Sequence, residues 1–452
     1  MRPQGQPDLA SMACAIAQYG KTIMYKQVIP LLLGAGLSVT TTAWSQTAPD
    51  WTLNASVQRA VEVAPEIKTA DAEIGIQQGK QQEADAWPNP TVSMQVDDKL
   101  GIDDGRGGYD VTELAISQPL PFGRLGNQRK QAQAALASAT SMRSQQQLLL
   151  EYQVAHRFHM LQLAQAKLDL AKQRLQEAER YQRSHRKQAN GDQLVRYLTP
   201  LESMRMDIVL QTAKQSMDMA EGEFTEAAAS FKSLLNLPFE STVQVPALST
   251  VMAPHDFALL EKALGNHPLL TADKQSVAAA DAGIAVAKSK RFNDPTLTLF
   301  RQKDYLANRR DDVTGVMLSV QIPLWNNNKG QVTQARYMLQ QAQAELELKQ
   351  RQLSINLHKN YLHLGHLIEQ AEHYRTKLLQ PASNVLKLTR RGFESGSLNI
   401  LNLIDANNTY FDTQLRYYEL LEESWLELAE LRKSAGLSLQ NTQSVLQSGE
   451  VK

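Results

Sequence analysis

Residues 91–97 read Thr91-Val92-Ser93-Met94-Gln95-Val96-Asp97. The strict alternation puts Val92, Met94 and Val96 on one side of an extended strand and polar residues on the other. A second such stretch follows, in which Thr112, Leu114 and Ile116 alternate with Glu113, Ala115 and Ser117. Farther along, Val316, Leu318 and Val320 alternate with Met317, Ser319 and Gln321, while Phe300 and Arg301 interrupt the pattern of Thr296–Gln302. Segments of about ten residues with one apolar face are the pattern of a transmembrane β-strand. Any one of them would also serve as a hairpin over a small soluble core, but the rest of the chain offers these apolar faces no other partner. Two hairpins give four strands, and the smallest transmembrane barrels need about eight. One chain therefore cannot close a barrel, and an oligomer is required.

Around the strands the chain reads as long helices. Pro 17 and Gly 23 are few for 452 residues, and aromatics at 6% leave little for a conventional large core. Gly126 to Ala189 contains no proline and no further glycine, enough for a rod of roughly 90 Å. Val154, Leu161, Leu168 and Leu175 recur every seven residues, as do Leu339, Leu346 and Leu353, which is a coiled-coil seam. Gly191 and Gly396 mark where each rod turns back into its partner.

The two halves repeat one plan. Ala64-Pro65-Glu66-Ile67 is echoed by His267-Pro268-Leu269-Leu270, and Asn89-Pro90-Thr91 by Asp294-Pro295-Thr296. Ile116-Ser117-Gln118-Pro119-Leu120-Pro121-Phe122 is echoed by Ser319-Val320-Gln321-Ile322-Pro323-Leu324-Trp325, and Asn190-Gly191-Asp192 by Ser395-Gly396-Ser397. Four landmarks in one order indicate a tandem duplication. The expected organisation is a first repeat over 46–236 with its hairpin at 91–118, a linker at 237–254, a second repeat over 255–436 with its hairpin at 296–321, and a tail at 437–452. Each repeat opens with one expected helix, 52–86 or 256–290.

The beginning of the chain reads as a leader. Met24-Tyr25-Lys26 is a basic start, Val28 to Val39 is an apolar run, and Ala43-Trp44-Ser45 supplies small residues before a cut at Gln46. Residues 24–45 are thus expected to be a signal peptide, and 1–23 an over-extended start. Cys14, the sole cysteine, would leave with them, which excludes a disulfide framework. Lys+Arg and Asp+Glu both total 47, so the chain lacks the basic excess of a nucleic-acid binder. A mean hydropathy of −0.38 excludes a bundle of membrane-spanning helices.

This ordered set resembles the TolC-type outer-membrane factors, the outer membrane efflux protein family. The resemblance covers about residues 50–436. It rests on the duplicated plan, on Ile116-Ser117-Gln118-Pro119-Leu120, and on Gly396-Ser397-Leu398-Asn399-Ile400-Leu401-Asn402-Leu403-Ile404-Asp405-Ala406-Asn407. It implies a mainly α fold with a transmembrane β-barrel contribution. A homotrimer would form a 12-stranded barrel from three times four strands, continued by a periplasmic α-helical tunnel. It implies a place in the outer membrane lipid of a Gram-negative cell, with a periplasmic adaptor and a proton-driven inner-membrane pump as partners. It also implies a constriction lined by Asp405, with Asn402 where relatives carry a second aspartate, and adaptor contacts at the tips Gly191, Gly396 and Leu398. Leu398 and Phe393 stand where relatives place polar latch residues. The Pro119-Leu120-Pro121-Phe122-Gly123 junction resembles the heavy-metal branch, the cobalt–zinc–cadmium resistance channels; drug or peptide export through the same duct is the alternative.

Other constellations carry less. His156 and His159 lie one turn apart, as do His363 and His366, with His358 and His373 nearby. Each pair lacks an evident third ligand and reads as surface or interface histidine, so no metal site and no cofactor are expected. The acidic run 97–105 lacks the spacing of a calcium loop and reads as the first hairpin's tip. Arg309-Arg310-Asp311-Asp312 reads as the second. No nucleotide-binding or catalytic motif occurs, so no enzyme is expected. A soluble periplasmic coiled-coil adaptor would explain the rods but not the strands.

Overall fold

The computed structural model describes residues 51–97, 111–188, 199–254, 256–306 and 309–439, all within one compact unit. The leader, the acidic run beyond Asp97, the Asn190-Gly191-Asp192 turn and the end of the tail lie outside the described residues. The first half runs through helices α1 (Leu53–Val63) and α2 (Pro65–Asp85), strands β1 (Thr91–Asp97) and β2 (Val111–Pro119), and helices α3 (Arg124–Gln188) and α4 (Pro200–Leu234). The second half repeats the order as α5 (Phe257–Leu264), α6 (Pro268–Ser289), β3 (Thr296–Leu306), β4 (Arg309–Ser319), α7 (Lys329–His373), α8 (Gln380–Glu394) and α9 (Ile400–Ala435).

The helix expected to open each half is two helices. Pro65 and Pro268 each occupy a first helical turn, where a proline needs no N–H partner but drives the preceding residue out of the helical region. Ala64 accordingly sits at φ −61, ψ 126. The long rod is continuous: α3 has 65 residues, about 100 Å at 1.5 Å per residue. Its counterpart α7–α8 is interrupted by a π-helical segment, Tyr374–Leu379. Pro381 follows two residues after its end, and its ring would clash with the carbonyl of Lys377 in a regular α-helix. At α4, Thr199 accepts from the Glu202 N–H at 3.3 Å and donates its own N–H to Glu202 Oε2 at 2.8 Å, with Pro200 next in line.

Each short opening helix covers its own rod pair. Val57 and Ala60 of α1 pack with Val154, Phe158 and Leu161 of α3 and Phe231 of α4; Leu260 and Leu264 of α5 pack with Leu357 and Leu364 of α7 and Leu431 of α9. The seven-residue seam is real in both rods: Val154, Leu161 and Leu168 are buried, and Leu346 and Leu353 pack partly buried against the second core. Glu151, 1% exposed, accepts from Ser438 Oγ at 2.8 Å and the Leu439 N–H at 2.7 Å, which fastens the segment after α9 to α3.

The linker is fastened too. Gln162 Nε2 donates to the Pro246 carbonyl at 2.7 Å and Trp425 Nε1 to the Ser249 carbonyl at 2.8 Å. Between these two lies His159, whose Nδ1–H bonds Gln162 Oε1 at 2.8 Å and whose ring stacks on Trp425 at 5.0 Å. Burial drives the His159 pKa down to about 4. An imidazole neutral in the fold but protonated when unfolded makes stability fall as pH drops below its unfolded value of about 6.5, until its folded value is reached. His159→Phe keeps the stack and cannot titrate. We expect the wild type to lose about 2–3 kcal/mol more than this variant between pH 7 and 4.5, read by urea unfolding. Parallel pH dependence of the two proteins would contradict this.

The strands form one antiparallel sheet in the order β1-β2-β3-β4. Its register places Val92 opposite Ile116, Ile116 opposite Leu299, and Leu299 opposite Val316. All four are exposed, from 44% to 67%, so the sheet turns an apolar face outward. The other face is mixed in polarity and partly covered: Ala115 is buried and Ser117 bonds Thr298 at 2.8 Å. Phe300 belongs to this second face. Its ring lies over Gly315, where a Cβ would fall 2.3 Å from it, so the interruption in the sequence is an aromatic ring covering a cross-strand glycine. Arg309–Asp312 do not form a tip, as the sequence had indicated. They begin β4, where the ladder with β3 extends through Leu306 opposite Arg309.

Candidate functional site

The turn joining α8 to α9 is built by its backbone. Gly396, at φ +74, adopts the left-handed conformation that glycine takes without a Cβ penalty. It lets the Ser397 and Leu398 N–H groups donate to the Gly392 carbonyl at 2.9 and 3.0 Å. Leu398 is half-buried with its side chain across Gly392, so this residue closes the turn. Phe393 meets Tyr181 of α3 edge-on at 6.3 Å. Asn399 caps α9 by accepting from the Asn402 N–H at 3.0 Å.

In the first turns of α9, Ile400, Leu403 and Ala406 are buried against Met206 of α4 and Leu386 of α8. Asn402 and Asp405 lie on the opposite, exposed face. Asp412, two turns on, is exposed on that same face, and its nearest cation is Arg174 at 4.0 Å. The structure thus brings Asn402 and Asp405 to one stripe beside Gly396 and Leu398. Gly191 lies outside the described residues.

A network joins the two rod pairs near this turn. Arg390 of α8 donates to the Tyr181 hydroxyl at 3.2 Å and pairs with Glu177 at 3.0 Å. Arg174 donates to Asn408 at 2.8 Å. Burial raises the Tyr181 pKa, keeping its hydroxyl protonated. Sequence reading missed these residues, because the partners lie in different halves and no periodicity links them. It also missed Glu422 of α9, which burial and the neighbouring Glu423 push up to about 7. Glu422 lines a groove of about 230 Å³ between α3 and α4, together with Arg157 and Lys167 of α3 and Glu223 and Glu226 of α4.

The histidines separate. His159 is consumed by the linker clamp described above, and His156 is half-buried beside Tyr152. His363 pairs with Glu427 at 3.1 Å, His358 meets Phe257, and His366 and His373 are exposed. Among the described residues no group of three or more histidine, cysteine or acidic side chains is arranged around a metal position.

A family model for outer membrane efflux proteins matches residues 56–191 and 259–437, one stretch in each half. The chain belongs to the outer membrane efflux protein family. The cobalt-zinc-cadmium resistance protein CzcC of Cupriavidus metallidurans is 25% identical over 391 residues, 83% of this chain and 87% of that protein. The cation efflux system protein CusC of Escherichia coli is 24% identical over 314 residues, 66% of each. Among solved structures, CusC aligns with a TM-score of 0.70 at 19% identity, over 92% of this chain and 99% of that one. The outer membrane protein VceC of Vibrio cholerae aligns with a TM-score of 0.70 at 16% identity, over 85% and 96%. The fold is therefore that of the outer-membrane channels, a β-barrel contribution continued by a helical tunnel, and the protein resides in the outer membrane with its helices in the periplasm. Members of the family are channels rather than enzymes.

Proposed function

We propose that the chain is the exit duct of a tripartite efflux system, assembled as a homotrimer. The observation that carries the assembly is a contact made once where the duplication calls for it twice. The second strand of the first half, β2, pairs with the first strand of the second half, β3, and the first rod α3 packs against the last rod α9. Among the described residues the reciprocal contacts are not made to any comparable extent: β4 does not pair with β1, and α7 does not pack along α4 as α3 does along α9. Their surfaces are ready for them. Leu201, Met204, Ile208 and Met219 are exposed on α4. Leu348, Ile355 and Leu362 are exposed every seventh residue on α7, followed by Val385 and Leu388 on α8. A next copy supplying each missing partner makes a heterologous ring. Three copies give twelve strands, the number the family resemblance implies.

Heavy-metal cations are the proposed cargo. The names of two relatives, a cobalt-zinc-cadmium resistance protein and a cation efflux system protein, support this. Energy comes from a proton-driven inner-membrane pump, and a periplasmic adaptor contacts the tips at Gly396, Leu398 and the sequence counterpart Gly191. Asp405, contributed by each copy, lines the constriction in this reading, with Asn402 forming an uncharged ring one turn nearer the tip.

Cells carrying the full-length gene should retain the protein in outer membranes through high-salt and alkaline washes, as a trimer by mass. Deleting the gene should raise cellular cobalt, zinc or cadmium. A soluble monomer after washing would overturn the duct. Sensitivity to drugs with unchanged metal content would overturn the cargo alone.

A further inference from the structure

The apolar face of the sheet ends differently at its two limits. Where the helices depart, a large aromatic residue flanks every strand: Trp87 before β1, Phe122 after β2, Phe292 before β3 and Trp325 after β4, between 58% and 94% exposed. Exposed aromatic girdles mark the interfaces of transmembrane barrels. At the opposite end, the alternation that puts Leu297 and Leu299 on the outward face puts Arg301 and Lys303 there as well. Both are exposed. Lys303 lies opposite Asp312 in the ladder, and Arg301 Nη2 donates to Asp312 Oδ2 at 3.1 Å.

Position decides what these cations meet. From Phe292 to Arg301 the chain can span at most about 30 Å. With strands tilted about 40° that becomes about 23 Å along the membrane normal, close to the roughly 25 Å apolar band of such barrels. Arg301 and Lys303 thus stand up to about one band-height from the aromatic girdle, on the side away from the periplasmic helices. That is the headgroup level of the outer leaflet. Asp312 occupies one guanidinium donor and offsets one of the two positive charges. The remaining donors match the oxygens of a phosphate, which guanidinium and ammonium groups bind well.

We infer that Arg301 and Lys303 form a site on the lipid-facing rim of the barrel for the phosphate groups of an outer-leaflet phosphorylated glycolipid. The inference rests on the cyclic assembly proposed above, which closes the sheet and turns this face to lipid. Native mass spectrometry of the full-length chain in detergent tests it, with diphosphoryl lipid A and its dephosphorylated counterpart as probes. Wild-type trimers should take up the diphosphoryl form at concentrations about ten-fold lower than the dephosphorylated one. The double variant R301Q/K303Q should lose that preference, while Asp312→Asn retains it. Equal uptake of both lipids by wild-type trimers, or an unchanged preference in the double variant, would overturn the site. Asp312→Asn losing as much as the double variant would also overturn it, since disturbance of the rim and not phosphate recognition would then explain the loss. Monomers alone in the wild-type spectrum would overturn the cyclic assembly, and the site with it.

Discussion

Ile355→Asp should leave the full-length chain helical and monomeric. Ile355 is 67% exposed in the single chain, so the substitution removes little packing from the protomer itself. In the ring it sits at the middle of the stripe formed with Leu348 and Leu362. Losing a buried isoleucine side chain there costs about 2 kcal/mol, and leaving an unpaired carboxylate in an apolar seam costs several kcal/mol more. Both penalties recur at each of the three identical interfaces. Ile208→Asp on the facing stripe, at 64% exposure, should behave alike, and Ile355→Leu should assemble as the wild type does. Sedimentation and mass measurements on detergent-extracted protein read the outcome, with circular dichroism reporting retained helix. A trimer yield for Ile355→Asp equal to that of wild type would place the interface on another face of α7.

What the sequence disclosed follows the reach of each physical signal. The absence of proline between Gly126 and Ala189 foretold α3 because helix propagation is local, and the alternation of Val92, Met94 and Val96 foretold an outward apolar face because side-chain direction in a strand is fixed by parity. The break at Ala64-Pro65 was in plain view as X-Pro chemistry, yet the expected helix over 52–86 ran through it. Phe300 read as an interruption because its reason is Gly315 on the neighbouring strand, which local pattern cannot disclose. His159 is similar: its ring meets Trp425, so its role as part of the linker clamp had no sequence signature. The tip was legible as a turn, since Gly396 and Asn399 are local devices. The Arg390–Glu177 pair bridging the two halves was not, because nothing in the local pattern sets its register.

Asp405→Ala should strip the channel of cation selectivity in planar bilayers, and with it block by trivalent cations. The stripe carrying Asp405 is exposed in the single chain, while the residues behind it, Leu403 and Ala406, are buried in the tip core. The substitution therefore changes charge without loosening the turn. Three such carboxylates about 6 Å apart, at an effective dielectric of about 20, repel pairwise by about 3 kcal/mol before salt screening. A multivalent cation relieves that repulsion, which is why such a ring attracts and holds one. Closed-state conductance should change little, because apolar packing of Ile400, Leu403 and Met206 holds the tip. Asp412 provides the internal comparison. It shares the exposed face, but Arg174 approaches it at 4.0 Å and already offsets part of its charge, so Asp412→Ala should reduce selectivity only modestly. Wild-type selectivity in Asp405→Ala combined with its loss in Asp412→Ala would move the ring two helical turns deeper, to the level where Arg174 of α3 meets α9.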